Sequence, residues 1–258
     1  MTENDTTSAS NEPWEDHARW WQDQFTDGVD PEYTEQILPI IAARLPTTGA
    51  LLDIGAGEGQ VARMATERGL SVSCLDPAWA QVSVGQERAG GPTWLQGSAT
   101  HLPFQTDHFD AAVACLVFEH IPDPDSAISE VARVLKPGGE FLFLLNHPLL
   151  QTPNSGWIDD QMLEPPEQYW RIGDYLIEAE TVEQVQKDVF ITFFHRPLSR
   201  YLNALAGAGF VLREMVEPAP PQGFLDRAPE YLLAATIPRL LVLRLQYLPG
   251  VIADSVMG

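Results

Sequence analysis

Asp53, Gly55, Gly57 and Gly59 form the densest chemical signal in this 258-residue chain. They lie in LLDIGAGEGQ, an apolar run that ends in a carboxylate and turns through alternating glycines. Glycines let a backbone pass close to a ligand without Cβ clashes. Val61, Ala62, Met64 and Ala65 then follow at helical spacing. A strand, a sharp turn and a helix start, where unpaired N–H groups point outward, make a seat for a nucleotide-like ligand. The dinucleotide fingerprint G-x-G-x-x-G wants its third glycine at position 60, which is Gln60 here. A second short apolar run, 70–75, ends in Asp76, placed to accept hydrogen bonds from both hydroxyls of a ribose.

The elements that must position these residues follow from periodicity. Helices are expected over 13–26 and 31–45, with Pro31 at a first helical position, then over 59–68, 78–88 and 124–136. Asp123 can cap the last of these and Pro124 suits its first turn, with Ile128, Val131 and Leu135 as the apolar face and Pro137-Gly138-Gly139 as the stop. Strands fall near 50–54, 71–76, 93–96, 110–116 and 140–146. Beyond an aromatic insert, a helix is expected from Pro197 to Ala208, a strand from Phe210 to Val216, a proline-rich loop over 217–229 and a last strand from Ile237 to Leu248. Alternating strands and helices imply an α/β fold, a doubly wound parallel sheet with helices on both faces.

Four ordered segments extend the glycine turn: LLDIGAGEGQVA, CLDPAWAQV, GSATHLPF and HFDAAVACLVFEHIPDPDSAISEVARVLKPGGEFLFL. Together they resemble the class I S-adenosylmethionine (SAM)-dependent methyltransferases, in the methyltransferase type 11 branch typified by ubiquinone- and menaquinone-biosynthesis enzymes. The resemblance implies a Rossmann-like seven-stranded sheet, mostly parallel with one antiparallel strand near the edge, and a lid insertion after strand five. Residues 1–12, polar and acidic, read as a disordered tail, and 13–258 as one domain. Within that domain, 13–47 lies over the cofactor, 48–146 binds SAM, 147–195 is the lid, and 196–258 completes the sheet.

The same resemblance assigns roles. Gly55, Ala56, Gly57 and Gly59 carry the turn under the methionine part of SAM. Asp53 orients it and receives the ammonium group, with a plain turn cap as the alternative. Asp76 takes the ribose, Pro77 or Ala78 lines the adenine, and Leu116 packs on the methionine chain. Ser98-Ala99 stands where the family often has Asp and a small residue, so adenine is met by a hydroxyl without charge assistance. Trp21, on the leading helix, covers the cofactor. Tyr33, Trp170, Tyr175, Phe194 and Arg196 are candidates for the acceptor site. Arg196 would steady an acidic acceptor group or pair with a lid carboxylate. His120, His147 and His195 are candidate bases, each with a packing or hydrogen-bonding alternative.

The implied reaction moves a methyl group from SAM to a small apolar or aromatic acceptor and leaves S-adenosylhomocysteine. A non-catalytic SAM-binding regulator and a protein or tRNA methyltransferase are the rival readings. Charge bears on the last: 36 acids against 15 bases give a net charge of −21, with Lys136 and Lys187 the only lysines. Such a field repels nucleic acid and anionic membrane surfaces. No apolar run is long enough for a membrane span, and 1–12 has no signal-peptide core, so a cytoplasmic protein is expected. Cys74 and Cys115 read as free thiols within strands, and no metal-ligand cluster is visible. Monomer and homodimer both stay open. Residues 147–195 hold nine acids, two bases and a run of aromatics, and read as a substrate wall backed by its own small core.

Overall fold

The computed structural model describes residues 12–88, 90–227 and 233–250. The tail expected over 1–12 therefore lies outside the described residues except for Glu12, as do 251–258 at the end of the expected last segment.

The first expected helix is two: α1 (Glu12–Asp16) and α2 (Ala18–Phe25), broken at His17. The second begins as a wide π turn over Glu32–Ile37 and continues as α3 (Leu38–Ala42), three residues short of the expected end. Pro39 explains the wide turn, because it offers no N–H to the preceding carbonyls and the ladder shifts to Leu38 N donating to Tyr33 O. Then come β1 (Ala50–Ile54), α4 (Gln60–Glu67), β2 (Ser71–Asp76), α5 (Trp79–Arg88), β3 (Thr93–Gln96) and β4 (Phe109–Cys115). Leu116 leaves the fourth strand at φ +59°, a left-handed conformation that costs a branched side chain energy and turns the chain sharply out of the sheet.

Asp123 caps α6 (Pro124–Val134) as expected, its carboxylate accepting from Ser126 N at 3.0 Å. The helix stops at Val134, earlier than the sequence reading placed it. Leu135 opens β5 (Leu135–Asn146) opposite Phe109 rather than closing the helical face. Lys136 precedes a proline, which disfavours the helical region there, and Gly138 turns at φ +86°. Two hairpins follow, β6 (Gly156–Asp160) with β7 (Glu167–Arg171), and β8 (Ala179–Gln186) with β9 (Val189–His195). The chain ends in α7 (Leu198–Gly207), β10 (Phe210–Val216), the short α8 (Gln222–Leu225) and β11 (Leu240–Tyr247). The last strand starts after Pro238 rather than at Ile237, since proline cannot donate to the ladder.

The seven-stranded sheet runs β10-β11-β5-β4-β1-β2-β3. Strands β1 to β5 are mutually parallel, and β11 is antiparallel to both its neighbours. This is the Rossmann-like order expected, with the antiparallel strand one place in from the edge. Side chains alternate between two cores. Leu52, Ile54, Phe141 and Phe143 meet α6 and α7 on one face. Leu51, Val113, Leu142 and Leu144 meet α3 and α4 on the other. Both cysteines are free, Cys74 buried and Cys115 half-buried. No described helix is long and apolar enough to cross a membrane. Among the described residues, no group of three or more His, Cys, Asp or Glu side chains could hold a metal ion.

Candidate functional site

The carboxyl ends of β1, β2 and β4 open onto a cavity of about 500 Å³. Ligands of open α/β sheets bind at this end, where the strand order reverses. The glycine turn forms its floor. Gly55 N and Ala56 N donate to Leu75 O at 2.8 and 3.1 Å, which curls the turn over the end of β2. Gly55 is at φ +63°, and a Cβ there would stand 2.5 Å from Val117 Cγ2. Gly57 N donates to Asp76 Oδ2 at 2.9 Å, and Ala78 N to Asp76 Oδ1 at 2.9 Å. Each Asp76 oxygen thus holds one backbone donor and keeps a lone pair for a ligand hydroxyl.

Asp53 is 1 % exposed, and its Oδ2 has no hydrogen-bond partner. Burial, then repulsion from Asp76, lifts its carboxyl to about 8. Burial also raises Asp76, to about 6, against the pull of its two backbone donors. A buried carboxylate oxygen without a donor is costly.

Aromatic side chains from the N-terminal segment form the roof. Trp21 stacks on Phe25 at 4.4 Å between centroids. Its Nε1 comes within 3.6 Å of where a Cβ on Gly57 would lie. Trp14 meets Trp21 edge-on at 5.6 Å and His120 at 4.8 Å, bridging the glycine turn and the far wall. His120 Nδ1 lies 2.8 Å from Thr192 O in β9. A carbonyl only accepts, so Nδ1 carries the proton and Nε2 is left as an acceptor. Burial pushes the imidazole down to about 4, so it is neutral at pH 7.

Twelve of the residues expected at the site line this cavity: Trp21, Tyr33, Asp53, Gly55, Ala56, Gly57, Asp76, Pro77, Ser98, Ala99, Leu116 and His120. Ser98 Oγ shares a hydrogen bond of 2.8 Å with Thr100 Oγ1. Gly59, His147, Trp170, Tyr175, Phe194, His195 and Arg196 are not among the lining residues. Gly59 precedes α4 at φ +92°, where a Cβ would meet the Trp94 ring at 2.5 Å. His147 pairs with Glu217 at 2.8 Å, and His195 Nε2 donates to Tyr175 O at 2.8 Å. The Tyr175 hydroxyl accepts from Leu198 N at 3.0 Å. Trp170 packs edge-on against Trp157 within its hairpin. Phe194 lies under the Arg196 guanidinium.

Residues 52–143 match the family Methyltransf_11, described as a methyltransferase domain. This stretch is thus similar to a methyltransferase domain. An uncharacterized methyltransferase of Mycobacterium bovis is 34 % identical over 128 residues, 50 % of this chain and 49 % of the relative. A demethylmenaquinone methyltransferase of Thermobifida fusca is 33 % identical over 135 residues, 46 % of this chain and 57 % of the relative. The chain thus spans about half the length of the curated relatives it matches. The crystal structure of an S-adenosylmethionine dependent methyltransferase from Mesorhizobium loti superposes with a TM-score of 0.72 at 26 % identity, covering 85 % of this chain and 99 % of that one. The family resemblance read from the four segments therefore holds.

Several wall residues were not among those expected from the sequence. Trp14 is the main one. It precedes Trp21 by seven residues, two helical turns, and that spacing was the available signal. Ile121, Pro122, Asp123 and Ser126 also line the cavity, at the entry to α6. Of the two expectations for Arg196, the lid carboxylate is the one it meets, Glu178 at 3.8 Å, and its guanidinium also donates to the backbone around His120.

Proposed function

We propose that this chain is a SAM-dependent methyltransferase that methylates a small, uncharged, apolar or aromatic acceptor. The observation that carries the reading is the unpartnered Oδ2 of Asp53, buried at the floor of the cavity beside Asp76. The residues present fit SAM. Asp53 would take the ammonium group, Asp76 the ribose hydroxyls, and the Gly55–Gly57 turn the methionine stem. Ser98 and Ala99 would border the adenine. When bound, SAM supplies an electrophilic methyl group on a sulfonium, which an acceptor in line with the departing sulfur takes up.

The chain's own part is then alignment and exclusion of water, the larger share of such a displacement. Trp14, Trp21 and Tyr33 close the roof. His120, neutral with a lone pair on Nε2, would accept a proton from an acceptor that must lose one. Among the described residues no lysine or arginine lines the cavity, while Asp76 and Asp123 do, which disfavours an anionic acceptor. The demethylmenaquinone methyltransferase relatives add support for an uncharged ring as acceptor. The β8–β9 hairpin, which meets α1 through β9, would be the lid.

Calorimetric titration with S-adenosylhomocysteine, with NAD as the control, tests the cofactor. Saturable binding of the first alone is expected, and absence of binding overturns the proposal. Turnover of methyl-labelled SAM with a panel of phenols, hydroquinones and amines tests the acceptor class. Binding without transfer to any of them would favour a regulatory binder.

A further inference from the structure

Arg196 directly follows β9 and is 5 % exposed. Its Nη1 donates to Phe118 O at 3.2 Å, and its Nη2 to Ile121 O at 2.8 Å and Pro122 O at 3.0 Å. These three carbonyls bracket His120 in the chain. Four residues earlier, Thr192 O takes the His120 Nδ1 proton. The end of β9 therefore grips the imidazole with one carbonyl and the backbone on either side of it with one guanidinium.

A buried cation is costly unless well paired. The carboxylate nearest Arg196 is Glu178, 3.8 Å from Nε and half exposed, and the buried Glu119 beside His120 also feels its charge. Tyr201 adds its hydroxyl at 3.4 Å. With so loose an ion pair, the guanidinium is held mainly by carbonyls. A planar fork can serve several carbonyls at once in fixed directions, which a lysine ammonium cannot reproduce.

We propose that Arg196 is a positioning residue for His120, holding the 118–122 loop so that Thr192 O fixes the imidazole as the Nδ1–H tautomer with Nε2 free. The inference rests on the reading of His120 as the proton acceptor, and it gives the insert a second task besides covering the cavity. The burial that keeps the ring neutral depends on the same packing, since Trp14 and Phe193 enclose it at 4.8 and 4.6 Å between centroids.

The test is a long-range proton–nitrogen NMR spectrum of protein labelled at its six histidines, bound to S-adenosylhomocysteine, with H120Q assigning the signal. Wild type should show one Nδ1–H tautomer for His120 and a titration midpoint near 4. R196K and R196M should both show mixed tautomers and a midpoint raised by about one unit or more, towards that of a free imidazole. Affinity for S-adenosylhomocysteine should stay within about threefold of wild type. An unchanged tautomer and midpoint in either variant would overturn the proposal. So would loss of cofactor affinity and of the folded state in both variants, since Arg196 would then serve only the fold. Turnover by H120Q with labelled SAM decides the proton-acceptor reading separately, because the tautomer is read without any acceptor present.

Discussion

Asp53→Asn keeps the size of the side chain and removes its charge, at the point where the cavity most needs a cation. The wild-type carboxyl is raised to about 8 by burial first and by Asp76 second. It is therefore about nine-tenths protonated at pH 7. A ligand ammonium seated against Oδ2 favours the carboxylate, so binding should expel that proton. Between about pH 6 and 8, each unit of rising pH should tighten S-adenosylhomocysteine about tenfold, or about 1.4 kcal/mol, levelling above about 8.

Asp53→Asn should flatten this slope. At pH 8 it should weaken binding by the worth of one hydrogen bond to a charged group, about 1.5–3 kcal/mol. The ligand-free protein should respond in the opposite sense. A carboxyl raised on folding binds more protons folded than unfolded between about pH 4 and 8. Its contribution to stability therefore falls as pH rises through that window. Asp53→Asn escapes the loss and should gain in melting temperature over wild type from pH 5 to 8. The assays are calorimetry at three pH values in two buffers of different ionisation enthalpy, and thermal unfolding without ligand. Affinity independent of pH, with no proton release, would refute the reasoning, as would wild-type binding by the variant.

Three further substitutions separate the parts of the site. Asp76→Ala removes the acceptor for Gly57 N and Ala78 N as well as for a ribose, and S-adenosylhomocysteine should bind more weakly by about 2 kcal/mol or more in calorimetry. His120→Gln should slow turnover of an acceptor that must lose a proton while cofactor affinity holds, and equal loss of both would make the residue structural. Gly59→Ala places a methyl group 2.5 Å from the Trp94 ring at φ +92°, so urea unfolding should show a loss of about 1–3 kcal/mol. Its folded form should still bind S-adenosylhomocysteine, because Gly59 does not line the cavity.

Local signals made the cofactor half of the molecule readable. Leu51 to Ile54 is buried on both faces of the sheet, so an apolar run interrupted by one carboxylate, Asp53, identified it. Asp123 and Pro124 announced α6 by capping chemistry that needs no tertiary context. The misses lie where distant residues decide. His17 ends α1, and its ring accepts from Phe190 N across 173 positions, a contact no helical pattern contains. Leu135 has helical spacing, yet pairing with Phe109 and a proline two residues on draw it into β5. Arg196, Tyr175 and Phe194 suit an acceptor site by residue type, and Arg196 equally suits a lid carboxylate, which it meets in Glu178. None of the three lines the cavity, and Arg196 serves the carbonyls of Phe118 and Ile121, partners that no local pattern reveals. Trp14 was legible only as one more apolar position, since its role depends on where the broken helix docks.

The place of β11 has a consequence for biosynthesis. This strand, residues 240–247, is the only sheet neighbour of β10 among the described residues and covers the outer edge of β5. Phe141, Leu142, Phe143, Leu144 and Leu145 of β5 are all buried in the finished protein. Until residue 247 has been made, β10 has no strand to join, and β5 presents an open row of backbone donors and acceptors flanked by its most apolar side chains. An edge of that kind invites pairing with other chains. A chain that stops short of β11 is therefore expected to aggregate more readily than one that includes it, through the uncovered edge of β5.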